Sequence, residues 1–428
     1  MTQIESAKQG IITREIKIVA AQESIAEETL RQLVAGGRVV IPANINHLNL
    51  IPIGIGKGLK TKINANIGTS GDFDKIDDEF KKIDMVIKYQ ADTVMDLSTG
   101  GDVNKIRRAL IERSTIPFGN VPIYQMAKEI AGKGSAFVNM TPAEMMAYIE
   151  AQAKDGVDYM TIHAGLTRRA VEKLKEQGRR TGIVSRGGSI TTGWMLHNEK
   201  ENPFYEYFDD ILEICRRYDV TLSLGDGLRP GSLADGSDWG QLEELLTLGQ
   251  LVLRSRAAGV QVMVEGPGHL PIDQIEMNIK LQKSICDDAP FYVLGPIVTD
   301  IAAGYDHITS AIGGAIAASA GADYLCYVTP TEHLGLPDEN DVKEGIIAAK
   351  IAAHVGDIAK KVPGAMERDN KMAEARGKLD WAAQEKWCID PERFRKVRNE
   401  RNSTTDACSM CGNLCVYKVL DNNFNKPK

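Results

Sequence analysis

Short apolar runs alternate with helix-patterned segments over most of this chain, and that alternation constrains the fold more than any other feature. Strand-like runs lie at residues 62–66, 93–97, 121–124, 159–163, 182–185, 221–224, 261–265 and 324–328. Helical spacing fills the gaps between them, as at 74–89, 103–113, 167–177, 204–218, 241–258 and 272–285. Strands separated by helices pair in parallel, because each helix carries the chain back to start the next strand. Eight such units close into a (β/α)8 barrel, an α/β fold. One further run, 291–294, is surplus to eight, so the assignment of strands stays open by one.

The polar residues fall where that fold places chemistry. Most of the runs end in a polar or glycine-rich cluster: Asn64 and Asn66, Asp96 and Ser98, Tyr124, His163, Ser185-Arg186-Gly187, Asp226-Gly227-Leu228-Arg229, and Glu265 followed by Gly266 to His269. A barrel builds its active site from the C-terminal ends of its strands. Residues 1–58 read as a small N-terminal segment, 59–340 as the barrel and 341–397 as a helical region with helices at 341–361 and 374–387. Residues 398–428 form a polar tail that carries three cysteines, with a linker composition ahead of them.

Composition narrows the class. The 428 residues are 43% hydrophobic and 25% charged, which excludes disordered, collagen-like and coiled-coil chains. A net charge of −7 argues against a nucleic-acid surface. The first apolar stretch, 10–20, is broken by Arg14, Glu15 and Lys17 and is no signal core. The uncharged run 308–322 is too short to span a bilayer. The expectation is therefore a cytoplasmic protein without a membrane partner.

Seven cysteines, an odd count in a large chain of this kind, argue against a disulfide framework. Cys215, Cys286, Cys326 and Cys388 lie in apolar surroundings and read as core residues. The other three crowd into Cys408-Ser-Met-Cys411-Gly-Asn-Leu-Cys415. Three thiolates in one short loop suit three irons of a cubane cluster whose fourth iron stays open to a ligand. A zinc site completed by a distant histidine, or a redox pair, is the competing reading.

Of the seven histidines, His269 and His333 both fall in loops at the expected barrel mouth, where a shared divalent metal is conceivable from the residue type. A lone histidine is more often a hydrogen-bonded structural residue. The Ser185 and Asp226 clusters each combine glycine, for close backbone approach, with arginine, whose planar fork matches phosphate. Tight turns use the same residues, and the position at strand ends favours phosphate. Asp306-His307 precedes a helix of small residues, 311–320, and reads as structural.

These motifs together resemble the phosphomethylpyrimidine synthase (ThiC) family. The matching stretches include Ile41-Pro-Ala-Asn-Ile-Asn-His47, Lys62-Ile-Asn-Ala-Asn-Ile-Gly68, Thr161-Ile-His-Ala-Gly165, Ile183-Val-Ser-Arg-Gly-Gly-Ser189, Ser223-Leu-Gly-Asp-Gly-Leu-Arg-Pro-Gly231, Val264-Glu-Gly-Pro-Gly-His269 and the cysteine tail. The chain resembles the short, anaerobe-type members, which share its lack of a long N-terminal domain and its three-residue second cysteine gap.

The resemblance implies a radical enzyme that uses S-adenosylmethionine (SAM), with a 4Fe–4S cluster on Cys408, Cys411 and Cys415. It implies 5-aminoimidazole ribotide (AIR) as substrate and hydroxymethylpyrimidine phosphate, formate and carbon monoxide as products, in thiamine biosynthesis. The family's substrate positions map onto Asn66, Met95, Tyr124, His163, Ser185, Arg186, Gly187, Asp226, Gly227, Leu228, Arg229, Glu265 and Tyr292. Its divalent metal, zinc by preference, maps onto His269 and His333. A homodimer, a flexible cluster tail and an electron donor such as flavodoxin or ferredoxin come with the resemblance. A paralogous 5-hydroxybenzimidazole synthase, which acts on the same ribotide, shares most of these motifs. A zinc-dependent barrel hydrolase and a non-enzymatic iron–sulfur sensor are the readings from other classes.

Overall fold

The structure, a computed structural model, describes residues 1–401, 403 and 405–421. It divides into two compact units, Met1–Lys360 and Lys361–Lys428.

The first unit opens with helices Gln3–Lys8, Arg14–Glu23 and Glu27–Ala35. Thr2 and Glu5 form a reciprocal capping box, and Thr13 caps the second helix. These helices bury Ile16, Val19, Leu30 and Val34 in a small core of their own. A two-stranded antiparallel ribbon follows, β1 (Val39–Val40) with β2 (Ile55–Gly56).

Eight parallel strands then close the barrel: β3 (Lys62–Ile67), β4 (Thr93–Asp96), β5 (Phe118–Asn120), β6 (Tyr159–Ile162), β7 (Thr221–Leu224), β8 (Val262–Gly266), β9 (Phe291–Leu294) and β10 (Tyr324–Cys326). Neighbours follow chain order, and β10 closes the ring on β3 with Tyr324 opposite Lys62. The barrel expectation holds, with two of its strands reassigned.

Residues 121–124 are not a strand. Pro122 lacks an N–H for a ladder and instead opens the helix Pro122–Gly132. The strand lies just before it, at Phe118–Asn120, where any Cβ on Gly119 would sit 2.2 Å from the Tyr159 ring. Residues 182–185 are irregular, and Ser185 caps the helix Arg186–Asn198 by accepting from the Gly188 N–H at 3.1 Å. The surplus run 291–294 takes the vacated place as β9.

Inside the barrel, buried polar groups satisfy one another. The Tyr159 hydroxyl donates to Asn64 Oδ1 at 2.8 Å, and Asn64 Nδ2 donates to the Tyr292 hydroxyl at 2.8 Å. At the N-terminal end, the buried Asp158 carboxylate accepts from the N–H groups of Asn44 (2.8 Å) and Phe118 (2.7 Å) and pairs with His47 Nδ1 at 2.6 Å. The Asn44 to His47 motif is thus a plug at the barrel floor. The helix Glu339–Ala359 packs along Asp306–Ala320, where a Cβ on Gly356 would meet Ala318 at 2.3 Å, and serves as the eighth barrel helix.

The second unit holds helices Ala365–Gly377, Trp381–Trp387, Pro391–Glu400 and Val416–Asp421. The single helix expected at 374–387 is broken because Leu379 turns to φ +53° and Asp380 caps a new start. Arg368 bridges the first two helices by donating to the carbonyls of Trp387 and Cys388, each at 2.9 Å. Among the described residues no helix is long and apolar enough to cross a membrane.

Candidate active site

The C-terminal ends of the barrel strands surround a cavity of about 750 Å³. Asn66, Met95, His163, Glu265 and Tyr292 reach it from strand ends. Tyr124, Arg186, Asp226 and Arg229 reach it from the loops and helix starts that follow. The remaining sequence-nominated positions stand just behind the wall. Ser185 Oγ lies 3.2 Å from His163 Nε2. Gly187 has no side chain because a Cβ there would be 2.2 Å from the His163 ring. Gly227 and Leu228 form the turn between Asp226 and Arg229, with Leu228 fully buried.

Glu265 is the best-anchored charge in the cavity. Its Oε1 accepts from the hydroxyls of Thr161 (2.7 Å) and Ser223 (2.6 Å), so three adjacent strands, β6, β7 and β8, fix one carboxylate. Burial raises the pKa of Glu265, and likewise that of Asp226, which pairs with Arg229 at 3.1 Å. Burial, with Arg229 adding repulsion, pushes His163 down to about 3. The imidazole is therefore neutral at physiological pH, able to donate from one nitrogen and accept at the other. The Arg186 guanidinium lies 4.8 Å above the Tyr124 ring, which orients it without consuming its hydrogen-bond donors.

His269 and His333 come together as well, with ring centroids 5.4 Å apart. Each Nδ1 meets a carboxylate, Asp300 for His269 and Asp306 for His333, both at 3.0 Å. Carboxylates on Nδ1 orient a histidine to offer Nε2 as a ligand. Among the described residues no three histidine, cysteine or carboxylate side chains converge closely enough to hold a metal ion. Two imidazoles alone fit a divalent cation only if a bound ligand supplies the other donors.

The three clustered cysteines lie on a turn of the second unit. The Gly412 N–H donates to the Cys408 carbonyl at 3.0 Å, with Gly412 at φ +53°. The N–H groups of Cys411 and Met410 hold the Cys408 thiol below its ordinary range, which favours the thiolate a metal needs. Trp381 Nε1 donates to the Asp406 carbonyl at 2.7 Å, and the Arg398 guanidinium stacks on Trp381 at 3.9 Å, so the turn is tied to the helices of its own unit. A cubane spreads its thiolates over three separate irons, so thiols that share a turn without converging on one point fit it. Of the other four cysteines, Cys215, Cys286 and Cys326 are core residues as expected, Cys388 is only half-buried, and Cys326 also lines the cavity, where Asn66 Nδ2 donates to its Sγ at 3.1 Å.

Sequence reasoning missed several groups that shape this site: Thr161, Ser223, Cys326, Asp300, Asp306 and Glu332, the last also in the cavity wall. Ser223 stands one strand over from Glu265 in the barrel ring and Thr161 two, a signal readable once β6, β7 and β8 are aligned. Asp306, read as structural, holds His333 from 27 residues away, which no local pattern reveals.

A model of the radical SAM ThiC family matches residues 2–422. The chain belongs to that family. ThiC relatives match it over almost their whole length. The phosphomethylpyrimidine synthase of Thermoanaerobacter sp. (strain X514) is 60% identical over 421 residues, 98% of each chain. That of Caldanaerobacter subterraneus subsp. tengcongensis is 59% identical over 428 residues, covering 100% of this chain and 99% of its own. That of Moorella thermoacetica is 56% identical, also over 428 residues, with the same coverage. As a ThiC-family radical SAM protein, the chain is an enzyme whose cofactors are a 4Fe–4S cluster and SAM.

Proposed function

We propose that this enzyme rearranges AIR to 4-amino-5-hydroxymethyl-2-methylpyrimidine phosphate, with release of formate and carbon monoxide, in thiamine biosynthesis. The observation that carries the proposal is full-length identity of 56–60% to proteins named phosphomethylpyrimidine synthase. The shape and polarity of the cavity suit a ribotide. The same reading includes a homodimer, a cytoplasmic setting and a reduced flavodoxin or ferredoxin as electron donor.

Cys408, Cys411 and Cys415 would hold the cluster. When bound, the cluster supplies the electron that splits SAM into methionine and a 5′-deoxyadenosyl radical. His269 and His333 would hold a divalent cation, zinc by preference, through Nε2, with Asp300 and Asp306 fixing the rings.

The chain's own residues then position the ribotide and protect it. Arg186 and Arg229 supply paired donors for the phosphate, and the N-terminus of the helix Arg186–Asn198 adds backbone N–H groups of the right polarity. Glu265, with Oε1 occupied by two hydroxyls, offers its other oxygen to the amino group of the imidazole. His163, neutral and braced by Ser185, hydrogen-bonds the ribose without competing for a proton. Met95 and Tyr292, nearly fully buried, wall the cavity against water, which a carbon radical rearrangement requires.

The test is anaerobic. Cluster-reconstituted protein with SAM, AIR and dithionite is expected to yield the pyrimidine phosphate by mass spectrometry. A hydroxybenzimidazole product would move the enzyme to cobamide chemistry. Cys411→Ala is expected to lose most cluster iron and all 5′-deoxyadenosine formation. Retention of 5′-deoxyadenosine by that variant would overturn the cluster assignment.

A further inference from the structure

The turn that delivers Asp226 and Arg229 to the cavity is closed by the Arg229 N–H, which donates to the Asp226 carbonyl at 3.2 Å. Its two consecutive N–H groups, of Gly227 and Leu228, are buried and need acceptors. One side chain takes both. The Gly227 N–H donates to Glu244 Oε1 at 2.8 Å and the Leu228 N–H to Glu244 Oε2 at 2.7 Å. Glu244 projects from the helix Trp239–Ala257 and is 2% exposed. The carbonyl side of the turn is held from the same helix. Arg179 donates to the carbonyls of Leu228 and Arg229, and Arg179 is itself gripped at 2.6 and 2.9 Å by Asp238, the N-cap of that helix.

In front, the turn abuts the other phosphate-facing segment. A Cβ on Gly188 would lie 2.1 Å from the Gly227 carbonyl oxygen, so a shift of the turn is transmitted to the Ser185–Gly187 backbone. A void of about 20 Å³, the size of one water, borders Glu244, Asp226, Arg229 and Glu265. Burying a carboxylate here is costly, and a leucine or glutamine would fill the space more cheaply. Each Glu244 oxygen accepts one of the two adjacent N–H groups, whereas a glutamine would turn its amide N–H₂ toward one of them.

We propose that Glu244 is a positioning residue of the ribotide site, clamping the Asp226–Arg229 turn so that both side chains stand in place before substrate arrives. The proposal rests on the AIR reading above, and its test separates the two.

Hydrogen exchange by mass spectrometry on the full-length apo chain reads the clamp without substrate. E244Q is expected to speed exchange in the segment 225–231 and to leave the strands of the barrel unchanged. Calorimetry is then expected to show AIR binding about tenfold weaker, since one buried N–H loses its acceptor, with SAM affinity unchanged. E244D, which keeps two carboxyl oxygens but is one methylene short, is expected to fall between wild type and E244Q. Unchanged exchange at 225–231 in E244Q overturns the clamp whatever AIR does. Faster exchange with unchanged AIR affinity overturns its role in the ribotide site. A fall in AIR and SAM affinity together, with a lowered Tm, marks Glu244 as mere scaffold and overturns it too. Failure of the wild type to bind AIR would sink the substrate reading, while the exchange measurement still decides whether Glu244 holds the turn.

Discussion

Glu265 shows how a single residue was legible in the sequence while its support was not. A glutamate at the end of an apolar strand stands out, because nothing in a barrel core needs a charge there. The Thr161 and Ser223 hydroxyls that hold it are ordinary strand residues until the ring of strands is closed. E265Q should fold, because both hydroxyls can rotate to suit an amide. On the proposed function it should lose the charge offered to the ribotide's amino group, and kcat/KM for AIR should fall by roughly 100-fold. Burial raises the Glu265 pKa, so the carboxylate forms only above the ordinary glutamate range. Wild-type kcat/KM should therefore rise with pH through that ionisation, and the rise should vanish in E265Q; an identical pH profile in both would remove Glu265 from substrate binding. His163, Asp226 and Arg229 were legible for the same reason as Glu265. Glu244, Arg179 and Asp300 were not. Each acts from a helix or loop with an ordinary solvated pattern, on partners 16 to 50 residues away.

At the scale of elements, the misread strands share one cause: each short apolar run contains a residue that starts a helix. Pro122 and Ser185 are helix starters, and each sits inside a run read as a strand. Two or three apolar residues beside such a residue serve a helix entry as well as a strand. Element ends also carry stability that sequence does not announce. Asp219 ends the helix Phe208–Tyr218 in the left-handed conformation at φ +54°, is 4% exposed, and accepts from the Gln3 N–H at 2.9 Å, tying the N-terminal helix to the barrel. Burial pushes its carboxyl up to about 7. The folded chain thus holds this proton more tightly than the unfolded chain, and stability declines as pH rises from the ordinary aspartate range to about 7. D219N keeps the acceptor, tolerates the left-handed conformation and carries no charge. Its stability advantage over wild type should be near zero below pH ~4, grow to about 7, and level off at a few kcal/mol above that. Parallel denaturant curves for the two proteins across that range would show that Asp219 is not buried as an acid.

For the whole molecule, the division into two units would, on the proposed function, separate substrate handling from radical generation. Every residue lining the cavity lies before Lys360, and the three clustered cysteines all follow it. The first unit contains the closed barrel, its eighth helix Glu339–Ala359 and a separate N-terminal core, so it has what an independent fold needs. Thr61 donates through both its N–H and its hydroxyl to Asp357 Oδ1, at 2.9 and 2.7 Å, which fastens the last helix to the start of the first barrel strand within that unit. A chain ending at residue 360 should therefore unfold as one cooperative transition and bind AIR within about threefold of the full protein. It should form no 5′-deoxyadenosine under any reductant, because the cysteines are gone. Full AIR affinity without SAM cleavage would establish that the barrel recognises the ribotide alone and that the second unit contributes the cluster. A large loss of AIR affinity in a well-folded truncated chain would show instead that residues beyond Lys360 complete the substrate site, and the assignment of binding to the barrel cavity would have to be redrawn.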